Sequence, residues 1–215
     1  MRKLMLMTLL FVAASLSADE LAVGAKAPAF ALPNAVDGHT VAFAPGDGKL
    51  SVIVFTCNQC PYAKAFEPRL IALGNEYAKR GVVFYAIDSN DDAAYPVETA
   101  QEMKSRATSR NYPFPYLKDG DSRVARQFGA RVTPHVFVVD GSGVVRYRGY
   151  VDDSAKPAER AHTGLNDALD ALLAGKEVKV AATKVQTHAF NRPCLVGDSS
   201  MSSTGWLGSC WASSS

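Results

Sequence analysis

The spacing of apolar and polar positions divides the chain into short elements of alternating type. Ser51-Val52-Ile53-Val54-Phe55 and Val82-Val83-Phe84-Tyr85-Ala86-Ile87 are unbroken, β-branched-rich runs of the kind that form strands covered on both faces. Between them, Tyr62, Phe66, Leu70, Leu73 and Tyr77 recur at three- and four-residue steps, which predicts one apolar helix face over residues 61–80. Pro68 falls inside that pattern and predicts a kink near the second turn. A second helix is predicted over 96–110, with Pro96 in its first turn, and a short third helix over 122–128, stopped by Gly129. Residues 136–140 and 144–148 read as strands joined through Gly141-Ser142-Gly143, a hairpin. The last periodic segment, 158–174, places Leu165, Leu169, Leu172 and Leu173 on one side and ends before Gly175.

Strands alternating with helices predict an α/β fold, a central mixed β-sheet with helices on both faces and an antiparallel hairpin at one edge. No internal repeat interrupts this order. The pattern stops after Thr183. From residue 197 to 215, 8 of 19 residues are Ser and no hydrophobic period survives, so residues 184–215 are predicted to be a disordered tail. The abruptness of the change predicts a frameshifted or aberrant gene end.

The other end of the chain has a different character. Arg2 and Lys3 precede an apolar run over 4–14, and small residues follow at Ser15, Ser17 and Ala18 before Asp19-Glu20. This is the layout of a secretory signal peptide over residues 1–18, with Ser15 and Ser17 in the two small-residue positions of a cut after Ser17. The run is shorter than the ~20 residues that span a bilayer, so no membrane span is expected once it is removed. An uncleaved anchor is the alternative. The expected compartment is therefore periplasmic or extracellular, and the working domain is 19–183.

Composition adds one exclusion. The 215 residues are 47% hydrophobic and 20% charged, with a net charge of +2 that falls to zero when Arg2 and Lys3 leave with the leader. No basic field remains to attract nucleic acid.

The candidate chemistry lies at Cys57-Asn58-Gln59-Cys60, where a buried strand hands over to a helix. Disulfide exchange needs a thiolate, and a helix N-terminus offers free N–H groups and the positive end of the macrodipole to stabilise one. Cys57 is expected to be exposed and activated, the nucleophile of a redox-active pair. Cys60 is expected one turn in, more buried, as the resolving thiol that closes the disulfide. Half a zinc site is the first alternative, but Cys194 and Cys210 have 15 residues between them in the Ser-rich tail and form no second pair. A static disulfide is the second, although so small a loop gives little entropic stabilisation. No cofactor or metal is expected beyond the cysteine pair. Thr133-Pro134 stands just before a strand and by itself is a turn. Read with the Cys-x-x-Cys, it looks like a cis-proline facing the disulfide, with Thr133 offering its backbone to a substrate.

Three segments carry a family resemblance. Phe55-Thr56-Cys57-Asn58-Gln59-Cys60-Pro61-Tyr62, then Pro113-Phe114-Pro115-Tyr116-Leu117, then Thr133-Pro134-His135-Val136-Phe137 together resemble secreted thioredoxin-like, peroxiredoxin-like proteins of the alkyl hydroperoxide reductase/thiol-specific antioxidant (redoxin) group. The resemblance continues through Tyr147-Arg148-Gly149 and Asp152-Asp153-Ser154 and covers about residues 21–183. It implies a thioredoxin-like fold, with extra N-terminal strands near 30–32 and 40–43 and an insertion around 91–117. It also implies redox partners: protein or small-molecule thiols and disulfides, and peroxides in the peroxidase branch. The chain departs from both parent patterns. Aligning Cys60 with the peroxidatic Cys puts Cys57 where peroxiredoxins carry Thr, and Pro134 near where they carry a peroxide-binding Arg; Arg131 is the nearby candidate. Against thioredoxins, Thr56 replaces the Trp before the motif, and Ser51 lies about where their buried acid would be. No proton acceptor for Cys60 is therefore identified, and the direction of electron flow is not legible. Three functions follow: an extracytoplasmic thiol–disulfide oxidoreductase using Cys57 and Cys60, a thiol-dependent peroxidase using Cys60, or a redox-inactive binding module.

The remaining polar residues read as ordinary. His135 is expected to be solvated or hydrogen-bonded on its strand, His39 to sit in a hairpin turn, and Asp88, Asp91 and Asp92 to form a solvated loop.

Overall fold

The strand-like runs assemble as their burial demands. The computed structural model describes residues 20–156 and 163–183. The leader, the tail beyond Thr183 and the start of the last predicted helix lie outside them. Among the described residues, no helix is long and apolar enough to cross a membrane.

Among the described residues there are seven strands: β1 (Phe30–Pro33), β2 (Thr40–Phe43), β3 (Ser51–Phe55), β4 (Val83–Asp88), β5 (Tyr116–Lys118), β6 (His135–Val139) and β7 (Val145–Gly149). The helices are α1 (Pro61–Ala78), α2 (Ala100–Ser109), α3 (Arg123–Phe128) and α4 (Gly164–Leu173). The main sheet has the order β5-β4-β3-β6-β7, while β1 and β2 form a separate antiparallel pair. β3–β4 and β4–β5 are parallel; β3–β6 and β6–β7 are antiparallel. This is the mixed sheet expected, with the hairpin β6–β7 at one edge.

β3 and β6 lie at the centre and are buried along their whole length. Alternation then sorts their side chains. Ile53, Phe55, Phe137 and Val139 face a cluster completed by Phe30 and Phe43 from β1–β2 and Phe128 from α3. Val52, Val54, Val136 and Val138 face the opposite layer, built from Phe66, Leu70 and Tyr77 of α1 and Leu165 and Leu169 of α4. α2 joins through Met103 and Ala107, which pack on Ala86 and Tyr116. Each fully buried aliphatic or aromatic side chain contributes about 1.5–3 kcal/mol, so these two layers dominate stability.

Polar ties fix the helices that border the Cys-x-x-Cys. Glu67 of α1, though buried, is paired with Arg106 of α2 and lies 3.3 Å from Arg110. Arg69 of α1 reaches Asp152 beyond β7 at 2.5–2.6 Å and also donates to the Ser154 carbonyl. α1 runs without a break through Pro68. At Gly74 it approaches the 113–114 segment so closely that a Cβ would stand 2.7 Å from the Phe114 ring and 2.9 Å from Pro113.

Several sequence expectations are corrected here. The helix foreseen over 96–110 is a 3₁₀ turn, Pro96–Glu98, followed by α2. Thr99 is extended between them, and its hydroxyl caps α2 by accepting the Glu102 N–H at 3.4 Å. The capping-box spacing Thr99-Ala100-Gln101-Glu102 is the physical reason for the break. β5 falls where only an insertion was expected. Asp88 is fully buried as the last residue of β4, not a member of a solvated loop. His39 is exposed in the β1–β2 turn as expected. His135 is neither solvated nor hydrogen-bonded. It is 1% exposed, its ring lies 4.5 Å from that of Phe137, and a Glu20 oxygen stands 3.7 Å from its Nε2.

Two predictions follow from this packing. Gly74→Ala gains about 1 kcal/mol of helix propensity but must displace the Phe114 ring and Pro113, so a net loss of roughly 1–2 kcal/mol is expected in urea unfolding; an unchanged or higher midpoint would show that the 113–114 segment yields. His135 offers a pH test. Burial, and secondarily Arg148, hold its pKa down from 6.5 to about 4. The unfolded chain takes up this proton below about pH 6.5 while the folded one does not. Stability is therefore complete above pH 6.5 and falls by roughly 3 kcal/mol on going down to about pH 4. His135→Phe should flatten that part of the profile in urea titrations at pH 7.5, 5.5 and 4; an unaltered slope would assign the acid sensitivity elsewhere.

Candidate active site

The site forms where β3 ends and α1 begins. Cys60 is the N-cap of α1 and Pro61 its first residue, a position that suits a residue without an N–H. The helix thus starts at the second cysteine, and Cys60 is not a turn inside it as the spacing suggested. Cys57 lies three residues before the cap, on the connection from β3.

The register of β3 with β6 supplies the other wall. Phe55 pairs with His135, so the residues just beyond these strand ends, Thr56-Cys57 and Thr133-Pro134, are brought side by side. The Thr133-Pro134 peptide is cis. Cys57 Sγ lies 3.3 Å from the Thr133 hydroxyl, and Cys60 Sγ donates to the Thr133 carbonyl at 3.4 Å. One residue therefore contacts both sulfurs. All four residues singled out in the sequence, Cys57, Cys60, Thr133 and Pro134, stand together, and both cysteines are free thiols.

The state of Cys57 differs from expectation. It is 4% exposed, not open to solvent. Its pKa is raised well above the ordinary thiol value. The neighbouring Cys60 thiol is the first cause, followed by burial and the negative charge of Glu98; the Thr133 hydroxyl opposes them. Two N–H groups between the cysteines, ahead of the helix N-cap, are engaged by a carboxylate. Asn58 N–H donates to Glu98 Oε2 at 2.7 Å, and Gln59 N–H donates to Glu98 Oε1 at 3.0 Å.

Glu98 is the residue that the sequence reading missed. It ends the 3₁₀ turn and is fully buried. Asn58 anchors the same turn by donating its side-chain amide to the Val97 carbonyl at 2.7 Å, and it accepts the Tyr116 hydroxyl at 3.1 Å. Behind Glu98, Lys118 of β5 donates to the carbonyls of Glu98 and Asn90, both at 2.8 Å, and stands 3.9 Å from Asp88. Burial pushes Asp88 up to about 8, with Glu98 adding to the rise and Lys118 opposing it. Two carboxylates and one ammonium are thus enclosed behind the cysteine motif. Ser51, which lies where thioredoxins carry an acid, is buried with its hydroxyl unpartnered among the described residues. Buried carboxyls near the motif stand instead at the end of β4 and in the 3₁₀ turn, Asp88 and Glu98. A signal for it was present in the sequence, since Pro96-Val97-Glu98 precedes a capping Thr and so holds Glu98 outside the helix. The described residues contain no cluster of three or more His, Cys, Asp or Glu able to hold a metal.

Residues 23–148 match the model of the AhpC/TSA family. A thiol:disulfide interchange protein DsbE from Pseudomonas fluorescens biotype C is 28% identical over 136 residues, which cover 61% of this chain and 69% of that protein. Among solved structures, an uncharacterized conserved protein from Geobacillus kaustophilus is 37% identical, with a TM-score of 0.71 and coverage of 79% of this chain and 95% of that one. A putative DsbE from Chlorobium tepidum, 22% identical with a TM-score of 0.58, covers 72% of this chain and 99% of its own and shares the fold. The family match takes in β1 to β6 and most of β7, including both cysteines, the 3₁₀ turn and the cis-prolyl peptide. With this sheet order and a match over more than half its length, the chain belongs to the AhpC/TSA family and has a thioredoxin-like fold.

Proposed function

We propose that the protein is an extracytoplasmic thiol–disulfide oxidoreductase that works through Cys57 and Cys60. The carrying observation is the shared contact of both sulfurs with Thr133, which holds two free thiols against one backbone segment. The likeness to thiol:disulfide interchange proteins supports the same chemistry. The leader-like pattern of residues 1–18 supports export to the periplasm or beyond.

In the reducing direction, Cys57 loses its proton and its sulfur attacks one sulfur of a substrate disulfide. That S–S bond breaks, a mixed disulfide forms, and the departing substrate thiolate takes up a proton. Cys60 then loses its proton and attacks the Cys57 sulfur, releasing the second substrate thiol. Two electrons pass to the substrate, and the Cys57–Cys60 bond remains as the product on the enzyme. The opposite direction uses the same steps reversed. Thr133 and Pro134 line the approach, where an extended substrate backbone would pair with Thr133. No cofactor takes part in these steps, and the partners are thiols and disulfides of proteins or small molecules.

The reduced protein, exposed in parallel to a model protein disulfide and to dilute hydrogen peroxide, should form the Cys57–Cys60 disulfide rapidly with the former and slowly with the latter, as read by acid-quenched mass analysis. Cys57→Ser should abolish exchange, while Cys60→Ser should accumulate a mixed disulfide on Cys57. A sulfenic acid on Cys60 formed faster by peroxide than the disulfide is formed by the protein substrate would make the protein a peroxidase. Inertness to both would leave a binding module.

A further inference from the structure

Glu98 has a position that disulfide exchange alone does not require. Its carboxylate reaches across from the β4–α2 connection to two consecutive backbone N–H groups between the cysteines, at 2.7 and 3.0 Å. The side-chain amide nitrogen of Asn90 donates to the same carboxylate at 3.5 Å, and Lys118 fixes the Glu98 main chain by donating to its carbonyl at 2.8 Å. The group is fully buried, and so is the Asp88 carboxyl behind it. A buried carboxylate that takes both donors competes directly with a Cys57 thiolate for them. It also places a negative charge where a second one would have to develop.

We propose that Glu98 is a positioning residue for the redox pair, which holds the Asn58 and Gln59 N–H groups away from Cys57 and thereby keeps Cys57 a thiol until exchange begins. The inference rests on the oxidoreductase reading for its purpose, and on the geometry alone for its effect on Cys57. Charged and titratable groups face this site from every neighbouring element. They are Asp88 from β4, Tyr116 and Lys118 from β5, Cys60 from the head of α1, and Glu98 itself from the 3₁₀ turn. Removing the Glu98 charge removes a negative charge that opposes ionisation and loosens its hold on the two N–H groups, while the Thr133 hydroxyl remains 3.3 Å from Cys57 Sγ as a donor to a thiolate. Cys57 would then ionise at lower pH and react faster at neutrality. The role is one of poise, exercised through the two N–H groups that Glu98 holds.

The test follows the pH profile of Cys57 alkylation by iodoacetamide in the intact reduced protein, quantified at that residue by peptide mapping so that Cys194 and Cys210 do not contribute. Glu98→Gln keeps the volume and removes the charge. The expected result is a profile displaced toward lower pH by at least one unit, which at pH 7 reads as a roughly tenfold faster reaction. Glu98→Asp, which keeps the charge on a shorter arm, should return the profile part of the way. A Glu98→Gln profile that superimposes on the wild type overturns the proposal. A second readout needs no variant: in the reduced wild-type protein, amide hydrogen exchange at Asn58 and Gln59 should be slowed by about 100-fold or more relative to an unstructured peptide. Exchange at the peptide rate would show that the carboxylate does not hold these groups and would equally overturn it. Failure of the oxidoreductase reading is separate. A wild-type protein inert to disulfides, whose Cys57 profile still moves with Glu98→Gln, loses the function but retains the positioning role.

Discussion

The antiparallel register of β3 with β6 is the constraint on which the site depends. Phe55 opposite His135 fixes which residues emerge together at the strand ends, and so places Cys57 against Thr133 across 76 positions of sequence. The register is itself determined by burial. Both strands have two apolar layers to satisfy, with Ile53, Phe55, Phe137 and Val139 on one face and Val52, Val54, Val136 and Val138 on the other. A slip by one residue would exchange the two sets, setting large aromatics where valines fit against α1 and α4. The core therefore selects a single alignment, and the chemistry inherits it.

The second determinant is electrostatic. Burying Asp88, Glu98 and Lys118 together costs desolvation energy that packing of the same volume would avoid. The cluster links β4, β5 and the 3₁₀ turn to the peptide between the cysteines, so the state of the thiols and the fit of the insertion are mechanically joined. Asp88 is raised into the neutral range by this enclosure, whereas Lys118 neutralises part of the remaining charge through space. A hydrophobic wedge could fill the same room, but it could not bind two N–H groups at 2.7 and 3.0 Å.

What could be read in the sequence follows from the range of each signal. β3, β4, β6 and β7 were legible because fully buried strands leave continuous apolar runs, and α1 because its face repeats at helical spacing. The cysteine pair and Thr133-Pro134 were visible as short motifs. Glu98 was not, because its importance depends on a contact 40 residues away, and the local pattern from Pro96 to Thr99 signals only that it lies outside the helix. The exposure of Cys57 was misjudged for a similar reason: its position before a helix suggested an open thiol, whereas Thr133, 76 residues away, closes over it. β5 is three residues long and has no period to detect. His135 shows the converse, since its strand was legible but its enclosure between Phe137 and the Glu20–Arg148 pair was not.

The contact between Cys60 and Thr133 has a consequence for partner exchange. With Cys60 reduced, its S–H is the donor that occupies the Thr133 carbonyl. A disulfide has no S–H, so oxidation removes that donor and leaves an acceptor beside the cis-prolyl peptide. The main chain at Thr133 thus carries a record of the oxidation state, hydrogen-bonded by Cys60 after reduction and without that donor after oxidation.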